Sequence, residues 1–291
     1  MCDDLTELDN AAYLNRRQFT ALGAGAAALT VMPGCMAQTA TGTAAMPTKS
    51  RAVTITTPDG TCDAVLIAPA TGKHPAVIMW PDIAGLRDAY KTMGTRLAGE
   101  GYAVLVVNQY YRGSPAPILD SLTAWRTPEG QAKLKPLIAG ITPDGTVRDA
   151  KAFVAFLDQQ PEVDTAKKIG SCGYCMGGPF TVRTAFANPD RVGAAASFHG
   201  GGLVSDAPDS PHRLLAATKA SYLFAIAKND DERAPTDKDE LRKAADAAKR
   251  PAEIEVYPAQ HGWCTIDAPI YDQVQADKAW GRMLALYKSS L

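Results

Sequence analysis

The chain carries no charge excess. Thirty Lys and Arg stand against 31 Asp and Glu over 291 residues, a formal charge of −1 with no block of like sign, so the electrostatic footprint needed for nucleic acid is missing. A small-molecule ligand is expected instead. No internal repeat or low-complexity tract interrupts the chain beyond its first 45 residues, and no apolar run reaches the ~20 residues that span a bilayer. Cysteine is sparse: of six, Cys2 and Cys35 fall in those first residues. Cys62, Cys172, Cys175 and Cys264 remain, too few for a disulfide scaffold and unnecessary in a domain of this size. Histidine is limited to His74, His199, His212 and His261, which keeps the list of candidate bases short.

What is present begins with an unusual N-terminus. In "NRRQFTALGAGAAALTVMPGC", Arg16 and Arg17 stand directly before an Ala/Gly-rich apolar run with no polar face. This resembles a twin-arginine export signal and predicts a periplasmic protein, although Asp3, Asp4 and Glu7 are atypical of such a leader. "MPGC" offers a lipoprotein cleavage box, which would make Cys35 a lipid anchor and the only membrane contact; "AQTATGTAA" offers ordinary cleavage. The expected division is therefore a leader over 1–45 and one domain over 46–291, folding without the leader.

Beyond the leader, "RAVTITT" and "CDAVLIA" flank the turn signal Pro58-Asp59-Gly60 and predict an antiparallel hairpin. "HPAVIMW" and "YAVLVVN" are continuous apolar runs around a helix over 87–100, the pattern of strands buried on both faces. The stretch from Gln109 to Gly145 has five prolines and little periodicity; it is expected to be a lid. From Thr146 helices and strands alternate again to a last helix over 271–287. The expected fold class is α/β: a doubly wound, mostly parallel sheet with helices on both faces and active residues at the carboxyl ends of strands.

"KKIGSCGYCMGG" reads in that frame as strand, sharp turn and helix, with Cys175 at the turn. Gly173 and Gly177, two before and two after it, let the strained turn close. A sulfur at a helix N-terminus is favoured as thiolate. Chain order in this architecture runs nucleophile, acid, histidine, and only His261 in "YPAQHGWC" lies downstream of a suitably placed acid. That acid comes from "KNDDERAP", with Asp230 preferred and Asp231 the alternative. His199 in "SFHGG" is the rival histidine, expected to serve a structural role near the pocket floor. Oxyanion donors are expected at the backbone N–H groups of Met176 and Ile83.

"WPDIAGLRD", "LAGEGYAVLVVNQYYRG", "GYCMGG", "KNDD" and "HGW" together resemble the dienelactone hydrolase family of α/β-hydrolases over residues 50 to 290. The resemblance implies a Cys-His-Asp triad of Cys175, His261 and Asp230, opening lactones or esters through a thioester acyl-enzyme, with no cofactor and no metal. Two positions depart from the family pattern. Asp82 stands where a Glu modulates the resting cysteine, and Thr265 stands where a second substrate-holding arginine belongs. Arg112 matches the first, and Tyr110 and Trp263 are candidate pocket aromatics. A neutral or differently charged ester or lactone is the expected substrate, and a monomer the expected state. The competing readings are a thioredoxin-like Cys-x-x-Cys oxidoreductase, disfavoured because Cys172 lies inside the strand, and a non-catalytic binding protein on the same fold.

Overall fold

The computed structural model describes Asn10, Tyr13 and residues 45–291. The export signal, its cleavage sites and Cys35 lie outside the described residues. Strands β1 (Thr48–Thr57) and β2 (Gly60–Pro69) pair antiparallel, with Thr57 opposite Gly60 across the Pro58-Asp59 turn. The Thr57 hydroxyl donates to the Gly60 carbonyl at 3.0 Å and accepts from the Asp59 N–H at 3.2 Å, which sets the hairpin register at its tip.

Six further strands complete one sheet: β3 (Ala76–Trp80), β4 (Ala103–Val107), β5 (Ile169–Tyr174), β6 (Val192–Phe198), β7 (Ser221–Ala227) and β8 (Ala252–Tyr257). Their order is β1-β2-β4-β3-β5-β6-β7-β8, antiparallel through β2–β4 and parallel thereafter. Every residue of β3, β4 and β5 is buried, as uninterrupted apolar strands require when both faces are covered. Alternate residues point to opposite faces. Val77 and Met79 meet α1 (Asp88–Gly99) and the C-terminal helix over Gln273–Ser290, whereas Ala76, Ile78 and Trp80 meet α3 (Pro143–Leu157) and α4 (Gly178–Ala187). Trp80 anchors the second layer, with Phe153 and Phe180 rings 5.5 and 5.4 Å away.

The lid departs from its reading as an irregular insertion. It contains a 3-10 turn (Leu122–Arg126) and a helix, α2 (Pro128–Ala139), capped by the Thr127 hydroxyl accepting from Gly130 N–H at 3.0 Å. Pro136 inside α2 obscures its periodicity. Ile118, Leu119 and Leu134 pack its underside onto Ile83, Ala84 and Tyr110, a third small core above the sheet. The helix after the lid also starts earlier than Thr146, at Pro143, because Thr142 caps it through Gly145 N–H. In the second half, the short α5 (Pro211–Leu214) follows β6. "KNDDER", which supplies the candidate acids, forms α6 (Lys228–Arg233), followed by α7 (Asp237–Ala248) and the C-terminal α8 (Gln273–Ser290). No helix among the described residues is long and apolar enough to cross a membrane.

Candidate active site

Cys175 sits between β5 and α4 with φ +53°, in the left-handed region that side chains rarely adopt. Backbone meets backbone around it. A Cβ on Gly173 would overlap the Gly177 carbonyl, and one on Gly177 would overlap the Trp80 carbonyl and reach Pro81 O at 2.7 Å. These contacts clamp the turn against the loop after β3, which places Met176 beside the segment carrying Ile83. Tyr110 completes the clamp: its hydroxyl donates to the Ile83 carbonyl at 2.7 Å and lies 3.4 Å from Met176 Sδ.

His261 follows β8 and is buried, its N–H held by the Asn229 side chain at 2.8 Å. Its Nδ1 lies 2.7 Å from Asp230 Oδ2. The Cys175 side chain acts on the same ring, by charge and by hydrogen bonding. Burial alone would push the imidazole pKa down; the charges of Asp230 and Cys175 outweigh it and push it up to about 10. Asp231, one residue on, turns away to Lys238 at 2.7 and 2.8 Å.

A model of the dienelactone hydrolase family matches residues 62–291. The chain belongs to the dienelactone hydrolase family. A Methylorubrum extorquens protein named "Putative carboxymethylenebutenolidase" is 29% identical over 288 residues, covering 96% of this chain and 94% of that one. A Salmonella typhi protein of the same name is 30% identical over 219 residues, covering 73% and 76%. Among solved structures, a dienelactone hydrolase-like promiscuous phosphotriesterase from metagenomic libraries aligns with TM-score 0.65 at 22% identity, covering 84% of this chain and 99% of that one. The Anabaena variabilis dienelactone hydrolase aligns with TM-score 0.59 at 16% identity, covering 84% and 99%. These structures support the α/β-hydrolase fold.

In this family member, Asp82 lines the cavity at Cys175, but both of its oxygens accept from Arg87, at 2.7 and 2.9 Å. Arg87 is fully buried and also grips Asp267 twice, at 2.7 and 2.8 Å. Asp267 in turn accepts from Leu122 N–H at 3.2 Å, tying the lid to the loop after His261. Thr265 lines the same cavity, and Tyr90 sits between Asp82 N–H at 3.0 Å and the Thr265 hydroxyl at 3.5 Å.

Two of the expected substrate contacts lie apart from this cavity. Arg112 does not line it, and its guanidinium bonds Asp149 twice at 2.8 Å and Asp59 at 2.6 Å, bracing the lid against the β1–β2 hairpin. Trp263 is fully buried, stacked on Tyr257 with ring centroids 5.2 Å apart, and is core. Residues that sequence reasoning missed are Arg87, Asn229 and Asn10, set by contacts between distant parts of the chain, and Arg126 from the lid, which lines the cavity. No disulfide joins Cys62, Cys172, Cys175 or Cys264. Cys172 points into the α1–α8 layer beside Tyr174 and Tyr287, its pKa pushed up to about 12 by burial. It shares a motif with Cys175 but not a site.

Proposed function

We propose that the protein hydrolyses carboxylic esters or lactones, with Cys175 as nucleophile, His261 as proton carrier and Asp230 as the acid that orients it. The observation that carries this reading is the 2.7 Å contact from His261 Nδ1 to Asp230, on a ring that the Cys175 side chain also acts upon. The sulfur attacks the carbonyl carbon while its proton resides on His261. The resulting oxyanion meets the N–H groups of Met176 and Ile83. Collapse breaks the acyl C–O bond and leaves a thioester, and His261 protonates the departing alkoxide; in a lactone that alkoxide stays tethered. Water then attacks the thioester, giving its proton to His261 and releasing the carboxylic acid as the thiolate returns.

With Arg112 neutralised by Asp59 and Asp149, and Asp82 by Arg87, the reading favours neutral over dianionic substrates. Export of the domain through the Arg16-Arg17 leader is part of the same proposal. Aryl esters assayed for an initial burst of the released phenol, and five-membered lactones assayed for ring opening, test the function. A burst equal to the enzyme concentration is expected, and absence of turnover on every member of both classes would overturn it.

A further inference from the structure

We propose that His199 is a positioning residue, fixing the Cys175 turn and the His261 ring in a single geometry. This deepens the function proposed above and rests on it for the roles of Cys175 and His261. His199 ends β6, is 1% exposed and has φ +39°, a second strained residue next to the first. Its Nδ1 accepts the backbone N–H of Cys175 at 3.1 Å. Nδ1 therefore carries a lone pair, and the ring is neutral with its proton on Nε2.

The same ring packs edge-on against His261, centroids 4.9 Å apart at 61°, and against Trp263, 5.2 Å apart at 65°. One side chain thus touches the nucleophile's backbone and the base's ring. Its Nε2 is buried with no hydrogen-bond partner among the described residues, a penalty that an apolar side chain would avoid. The groups facing it are Cys175, His261, Asp230 and the Tyr174 ring. Burial depresses its pKa and the His261 charge adds to that, against the opposing pull of Cys175 and Asp230. A proton on Nδ1 would remove the acceptor for Cys175 N–H and set a second cation against His261.

The test compares His199→Asn, whose amide oxygen can replace Nδ1, with His199→Phe, which keeps a ring and loses the acceptor. Ultraviolet titration of the Cys175 thiolate is read with kcat and KM. His199→Phe is expected to raise the thiolate pKa by about one unit and to lower kcat by roughly tenfold or more with KM within about twofold; His199→Asn is expected to stay near the parent on both. Equal titrations in both variants and the parent, or a loss of thermal stability alone, would overturn it. The titration needs no substrate, so a shift in His199→Phe in a protein whose parent form turns over no ester would leave this positioning role standing and sink the hydrolase reading.

Independently, we infer that Asn10 closes the cavity while the N-terminal segment is attached. Asn10 is 3% exposed, its Nδ2 donates to the His261 carbonyl at 3.0 Å, and its Oδ1 is buried with no hydrogen-bond partner among the described residues. It lines the cavity together with Cys175, His199, His261 and Arg126. The space left there is ≈ 20 Å³, enough for one water and too little for an ester. Loss of the leader would remove Asn10 with it and open the site.

Alkylation of Cys175 by iodoacetamide in the full chain measures the open fraction directly. Asn10→Trp, too large for the buried position, should alkylate roughly tenfold faster than the parent, and Asn10→Ala several-fold faster, because reaction rate scales with the open population. Rates within about twofold of the parent, or slower, in both variants would overturn closure. Faster alkylation with no ester hydrolysis would uphold it and count against the hydrolase reading alone.

Discussion

The two walls of the cavity are built in different ways. On the elbow side, from β5 into α4, backbone lies on backbone: Gly173 and Gly177 are there because carbonyl groups fill the space a Cβ would need. On the lid side, from Gln109 to Gly145, side chains hold the structure through Arg112 with Asp59 and Asp149, and through Asp267 with Leu122 N–H. Steric fixing tolerates no displacement of Cys175, whereas ionic bracing can be retuned one residue at a time. Under the proposed function, the difference would separate where chemistry is fixed from where selectivity can vary.

The sharpest break in that comparison lies on the elbow side. Cys175→Ala and His261→Ala should each lower kcat/KM by about a thousandfold or more while retaining the fold; circular dichroism and steady-state kinetics check both. Next comes the acid. Asp230→Asn should lower turnover by roughly a hundredfold or more, because it leaves His261 without its orienting carboxylate. Asp231→Asn, which loses only the Lys238 ion pair, should remain within about twofold. A reversed ranking would move the acid by one residue.

Asp230→Asn also has a pH signature. The folded His261 pKa is raised to about 10 by Asp230 and Cys175 against the opposing effect of burial. Stability from this pairing is therefore fully present below pH ~6.5 and disappears as pH rises through about 10. The gap in melting temperature between parent and Asp230→Asn should be widest below pH ~6.5, narrow as pH rises, and close in alkali. A gap independent of pH would contradict the linkage.

Lid-side effects should be smaller and fall on stability. Arg112→Ala removes a guanidinium from Asp149, a buried carboxylate, and should cost about 1–3 kcal/mol of stability by urea unfolding, with kcat/KM within about twofold for anionic and neutral esters alike. A loss confined to anionic esters would restore Arg112 as a substrate contact. Smallest of all, Cys172→Ala should keep hydrolysis within a few-fold, as expected for a core thiol.

Local pattern made the sheet and the elbow legible. Apolar strand runs, the Pro58-Asp59-Gly60 turn and the small residues flanking Cys175 each act within a few positions, and the order of "GYCMGG", "KNDD" and "HGW" follows the chain. The lid helix α2 was hidden because Pro136 breaks its periodicity, and α6 because an acidic run after a strand reads as loop. Arg87 between Asp82 and Asp267, and Asn10 on the His261 carbonyl, are contacts between residues up to 251 positions apart; no local signal encodes them. Arg112 fits the family motif by sequence, yet Asp59 and Asp149 claim it in three dimensions.

The most direct test of the account is acid quenching of the protein during turnover of a slowly deacylating aryl ester, followed by intact-mass analysis and peptide mapping. The account predicts one acyl group on the peptide carrying Cys175, absent in Cys175→Ala and accumulating further in Asp230→Asn if deacylation slows more than acylation. Continued hydrolysis by Cys175→Ala, or an acyl group on any other residue, would contradict it.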